Sequence, residues 1–120
     1  MAEFSPLALP GTAQTFTASA AVTAGQVVEI TGARTVAPTS AASAKVYGVA
    51  LFDAANGAKV TVSSGGVYEL AASGAIAAGA LVVSAASGAV ATIGSGTFDQ
   101  AIGIAESAAA SNKVRVKLFR

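Results

Sequence analysis

The chain contains no cysteine, no histidine and no tryptophan. Each absence removes a class of chemistry. Without cysteine there is no disulfide, no thiolate zinc site and no thiol nucleophile, and the redox compartment is left open. Without histidine the commonest metal ligand and the commonest general base are lost together. Charge is scarce as well. Lys, Arg, Asp and Glu make up 11% of the 120 residues, against about 25% in ordinary soluble domains. The formal net charge of +1 provides neither the field that steers a protein to nucleic acid nor an acidic tail. A chain this small, with so few surface charges, reads as one domain that gains stability by burying surface against a partner.

The remaining polar groups do not assemble into a reactive pattern. The acids Glu3, Glu29, Asp53, Glu69, Asp99 and Glu106 fall singly along the chain, with no local acid–base couple. A nucleophilic serine would need Lys45 or Lys59 as its base, and both read as outward strand positions. Gly94-Ser95-Gly96-Thr97 lacks the lysine and the following helix of a phosphate loop and reads as a hairpin tip. Asp53 to Gly57 offers one carboxylate where a calcium loop needs several. The expectation is a protein without catalytic residues, cofactor or metal. Leu70 to Ala91 carries no charge and is long enough to span a bilayer. Ser73-Gly74, Gly79 and Ser87-Gly88 interrupt it at turn-like intervals, so it reads as strands and no membrane partner is expected. The opening Met1-Ala2-Glu3-Phe4-Ser5-Pro6 lacks the basic region and apolar run of a signal peptide.

What the chain does have is a repeat. Ala24-Gly25-Gln26-Val27-Val28 returns as Ala78-Gly79-Ala80-Leu81-Val82, and Val36-Ala37 as Val90-Ala91. Gly48-Val49-Ala50 returns as Gly103-Ile104-Ala105, and Lys59-Val60-Thr61-Val62 as Lys113-Val114-Arg115-Val116. Two copies of one supersecondary unit of about 54 residues follow, at about 23–64 and 77–118. With only two copies the units are expected to bury their apolar faces against each other, in a single β domain over 22–120. Because turn glycines and strand valines are what repeat, the repeat encodes a scaffold.

Residues 1–21 stand outside that pattern. Pro6 and Pro10 favour an extended N-terminal arm carrying Phe4, Leu7 and Leu9, with Thr15-Phe16-Thr17 as a first strand. Lys59 to Ser63 alternates to place Val60 and Val62 inward, and Lys113 to Leu118 does the same with Val114, Val116 and Leu118. Lys45 to Leu51 reads as a regular strand with Val46 and Gly48 on one face and Tyr47 and Val49 on the other. Asp53-Ala54-Ala55-Asn56-Gly57 and Ser107 to Asn112 each predict a short helical turn, stopped by a left-handed Gly57 or Asn112. Short strands between glycine turns, without a long helical period, indicate an all-β fold. A small barrel or tulip-like domain is the first choice and a two-sheet sandwich the second. The one charge cluster is the outward row Lys113, Arg115, Lys117 with Arg120. Without aromatic interleaving it does not read as a nucleic-acid surface. It reads as a solvated strand face or as a contact for an acidic partner.

The opening Met1 to Leu7, the block Phe16 to Val28, and Val46 to Ala55 together resemble bacteriophage capsid decoration (head cement) proteins, the small Gly/Ala-rich group of tailed phages. Gly65-Gly66-Val67-Tyr68, Ala72 to Ala75 and Val114 to Leu118 extend the similarity across nearly the whole chain. The resemblance implies a β-rich, non-enzymatic virion protein, made in the host cytoplasm, that binds the outer capsid surface. It also implies a homotrimer clamping adjacent major capsid subunits. The family supplies no motif for individual contacts. Phe4, Leu7, Leu9, Arg115 and Lys117 are the candidates, because they are apolar or basic groups that the repeat's own core does not use. A phage tail-tube or tail-fibre module shares the β content and lack of chemistry. A carbohydrate-binding domain would call for clustered aromatics, and the five Phe and two Tyr are scattered.

Overall fold

The computed structural model describes residues 13–119. Its strands, in chain order, are β1 Gln14–Ala18, β2 Val27–Gly32, β3 Thr35–Pro38, β4 Val46–Ala50, β5 Lys59–Ser63, β6 Gly66–Ala71, β7 Leu81–Ser84, β8 Val90–Thr92, β9 Ala101–Ala105 and β10 Lys113–Leu118. The first five close into a barrel in the order β1-β3-β2-β4-β5. The second five form a sheet in the order β6-β10-β9-β7-β8. The fold is an all-β small barrel followed by its sheet-forming copy.

The two orders are the same order. Read round the closed ring the other way, the barrel runs β1-β5-β4-β2-β3, and replacing each strand by the one five places later in the chain gives the sheet, so β6 is the counterpart of β1. The backbone bonds repeat with it. Gly25 N donates to Ala50 O at 2.8 Å and Gly79 N to Ala105 O at 2.8 Å. Ser19 N donates to Val36 O at 2.8 Å and Ser73 N to Val90 O at 2.7 Å. The repeat therefore reaches back through β1 and does not begin near Thr23. The units differ in closure. Thr17 and Ala18 pair in parallel with Thr35 and Val36 to shut the barrel, whereas the second unit keeps a single bridge, Ala72 to Val90.

Both units carry a bulge at the same place. The β2–β4 register steps from Val28↔Gly48 to Glu29↔Val46, passing over Tyr47. The β7–β9 register steps from Val82↔Gly103 to Val83↔Ala101, passing over Ile102. A bulged residue shifts the alternation of everything beyond it. Val46 and Val49 therefore share one apolar cluster, while Tyr47 and Ala50 belong to another. The regular alternation expected for Lys45 to Leu51 fails for that reason.

The buried side chains accordingly form two clusters where one shared core is expected from the repeat alone. Phe16, Ala18, Val22, Val28, Val36, Ala50, Val60 and Val62 fill the barrel. Leu70, Ile76, Val82, Val90, Ile102, Val114, Val116 and Leu118 fill the second unit, joined there by Val27, Val46 and Val49 from the first. Those three valines are the apolar seam between the units. Polar groups complete it: Thr39 Oγ1 donates to Ala85 O at 2.9 Å, and Ser84 Oγ to Ala41 O at 2.8 Å. Both side chains are buried and fully bonded, so they cost no orphaned polar group.

The predicted helical turns are absent. After Asp53, Ala54 bridges to Val22 and the chain makes a tight turn. Asp53 Oδ1 accepts from Ala24 N at 2.8 Å, across the sequence instead of capping its own turn. The left-handed positions are present: Gly57 has φ 88° and Asn112 φ 61°. Helical backbone within the described residues is confined to single 3-10 turns at Ala86–Gly88 and Phe98–Gln100. The uncharged stretch Leu70 to Ala91 is divided by Gly74, Gly79 and Gly88 at φ 82°, 85° and 68°. Among the described residues no helix is long and apolar enough to cross a membrane.

Candidate functional site

The charge row lies where alternation puts it. Lys113, Arg115 and Lys117 stand on the outer face of β10, in register with Ala71, Glu69 and Val67 of β6. Arg115 Nε meets Glu106 Oε1 at 3.0 Å, with 65% of the arginine side chain and 35% of the glutamate side chain exposed. An ion pair this exposed contributes at most about 1 kcal/mol. Arg115→Ala should therefore shift the urea midpoint little, corresponding to less than about 1 kcal/mol, so any loss of partner binding in that variant reports a contact. Beside the pair, Glu69, Ser107, Ala108, Lys113, Val114 and Arg115 line an open hollow of about 450 Å³. A smaller one of about 180 Å³ lies between Val67, Tyr68, Glu69 and Arg115.

The face carries acids beside its bases. The acids near it are Glu69 and Glu106, and no group of three or more metal-ligating side chains occurs among the described residues. Lys59 Nζ donates to Thr17 Oγ1 at 2.9 Å, on the barrel, away from any paired acid. Gly94 to Thr97 joins β8 to the 3-10 turn before β9, so it is a loop between neighbours of β7 and not the tip of a hairpin. Of the candidates, Arg115 and Lys117 share this face. Phe4, Leu7 and Leu9 lie outside the described residues.

The feature that sequence reading missed is an edge. On β6, Ala72 N donates to Asn112 O at 2.9 Å just past the strand's end, so even-numbered residues aim their backbone groups at β10. Val67, Glu69 and Ala71 aim theirs the other way, where, among the described residues, β8 reaches β6 through the parallel bridge of Ala72 with Val90, Ser73 N donating to Val90 O at 2.7 Å. The equivalent edge of β1 is closed. Arg34 Nη2 donates to Thr15 O at 2.7 Å, with the guanidinium 5.4 Å from the Phe16 ring centroid. Fifty-four residues on from Arg34 stands Gly88, which has no side chain to do the same. Gly88 cannot gain one cheaply: a Cβ there would lie 2.6 Å from Gln26 Cβ, at a φ of +68°.

Family comparison identifies this scaffold. The phage cement protein family model matches residues 9–119. The chain belongs to the phage cement protein family. It is thus a structural protein of the phage virion, and the family places it with the capsid. The base of a head fibre, solved as "head fiber gp8.5 N base in bacteriophage phi29", has the same fold. It matches with a TM-score of 0.62 and 19% identity, covering 89% of this chain and 92% of that one. No curated protein sequence matches significantly.

Proposed function

We propose that this cement protein binds the outer surface of the assembled head as a homotrimer and clamps adjacent major capsid subunits, without catalysing a reaction. The family match over residues 9–119 is the observation that carries this reading. The rest of the molecule supports it. Low charge, an all-β frame and no group of three or more acids or metal ligands among the described residues suit a protein that works by burial at an interface. The contacts are the basic row at Arg115 and Lys117 together with the apolar groups Phe4, Leu7 and Leu9.

The test is location and retention. Electron microscopy of labelled particles should show the chain on the head surface, and label confined to the tail would overturn the reading. Deleting Met1 to Pro10 should leave the circular dichroism spectrum almost unchanged while fewer copies stay on purified heads. Burying three large apolar side chains contributes several kcal/mol, at roughly 1.5–3 kcal/mol each before ordering costs. Full retention by the truncated protein would move the contact to the β domain.

A further inference from the structure

We propose that Asn56-Gly57 is a site of spontaneous deamidation, held intact by the closed barrel and released to react when the turn before β5 opens. Asn56 and Asn112 are the two asparagines of the chain. Asn56 is followed by glycine, which has no side chain to hinder attack by its backbone nitrogen on the asparagine amide. Asn112 is followed by Lys113, whose side chain crowds the same approach. The reaction needs only water. Gly57 N bonds to Asn56 Cγ as the Cγ–Nδ2 bond breaks, and ammonia leaves with the proton that Gly57 N gives up. Water then opens the resulting cyclic imide. Cleavage at Cγ gives aspartate, and cleavage at the main-chain carbonyl carbon gives isoaspartate. Either way one water is consumed, one ammonia is released and one carboxylate appears.

The fold restrains the attacking nitrogen. Gly57 N donates to Ala18 O at 2.7 Å, Ala18 N donates to Ala58 O at 2.9 Å, and Ala58 N donates to Ala55 O at 2.9 Å. The first two bonds extend the β1–β5 ladder beyond Thr17↔Lys59. Ala18 is buried in the barrel cluster, so this acceptor is anchored on the core and not on a loose loop. An N–H engaged in that bond is not free to lose its proton and turn toward Asn56 Cγ. Attack therefore waits for local opening of the turn.

The product acts back on the restraint. Isoaspartate routes the main chain through Cβ and Cγ, which adds one methylene to the turn that leads into β5. Ala18 then cannot keep both its bond from Gly57 and its bond to Ala58 in the present register. That register carries Phe16 opposite Val60, so the lengthened turn loosens the strand pair that had slowed the reaction. The new carboxylate also lowers the formal net charge of +1 to zero, which lets ion exchange separate reacted from unreacted chains.

The test compares the full chain aged in warm neutral buffer with the same chain aged in unfolding guanidinium chloride. Peptide mass spectrometry follows the conversion of amide to acid at each asparagine. In the denaturant Asn56 should react well ahead of Asn112. In buffer the conversion of Asn56 should be about tenfold slower or more, the factor set by the population of the open turn. Isoaspartyl chains purified from the aged sample should also unfold at a lower urea concentration than Asn56→Asp, which carries the same charge on a main chain of normal length. The proposal is overturned if folded and unfolded chains react equally fast, if Asn112 keeps pace with Asn56, or if isoaspartyl chains and Asn56→Asp are equally stable. Because the experiment uses free protein, either result leaves the head-binding reading standing.

Discussion

Gly48→Ala should lower the unfolding free energy by about 3 kcal/mol or more, the upper range for forcing atoms into a packed site. The cause is steric and specific. A Cβ at Gly48 would lie 2.1 Å from Ser63 O and 2.8 Å from Ser63 C. Those are backbone atoms of β5, so no rotamer change relieves them. The φ of Gly48 is not in the left-handed range, which separates this case from turn glycines such as Gly25. The second unit supplies the internal control. Gly103 occupies the same place, where a Cβ would lie 2.4 Å from Lys117 O, and Gly103→Ala should be comparably destabilising. Gly25→Ala, with open space around the added methyl, should cost about 1 kcal/mol from its positive φ alone. Urea denaturation of the three variants checks the order, and equal losses would refute the packing argument.

Val27→Asp should cost about 4 kcal/mol or more, because it buries a carboxylate with no partner. Val27 is fully buried and belongs to the second unit's cluster although it sits on a strand of the first. The substitution strikes the seam. Thermal unfolding followed by circular dichroism should show a lower and broader transition. Val60→Asp, inside the barrel, should destabilise as much. It leaves the seam valines in place, so its transition should stay single.

How much of this was legible in the sequence depends on which physical signal each element leaves. β5 and β10 were plain, because Val60, Val62, Val114, Val116 and Leu118 alternate with polar residues and no irregularity interrupts them. The left-handed turns at Gly57 and Asn112 were plain for the same local reason. The helical turns were misread because short Asp-Ala-Ala and Ser-Ala-Ala runs suit a turn or a bridge as well as a helix. The tertiary pairing of Ala54 with Val22 decided between them. The bulges at Tyr47 and Ile102 leave no compositional mark, and they decide which valines meet. The link between β1 and β6 did have a signal, since Ala18-Ser19 and Val22 return as Ala72-Ser73 and Ile76. The strands just before them, Phe16 against Leu70, share only apolarity. The outward placement of Arg115 and Lys117 was readable from alternation. The β6 edge was not, because how far an edge is paired is set by where another strand arrives.

The position of β10 has a mechanical consequence. It lies between β6 and β9, paired with β6 along Lys113 to Leu118 and with β9 along Val116 to Leu118. Ladder hydrogen bonds run across the strand direction. A pull on the chain beyond Leu118 therefore loads both ladders in shear, and their bonds must yield together. A pull at right angles to an outer strand such as β8, held by three pairs to β7, would part its bonds one after another. The resistance of this small domain to force is thus directional, greatest along the axis of its most enclosed basic strand.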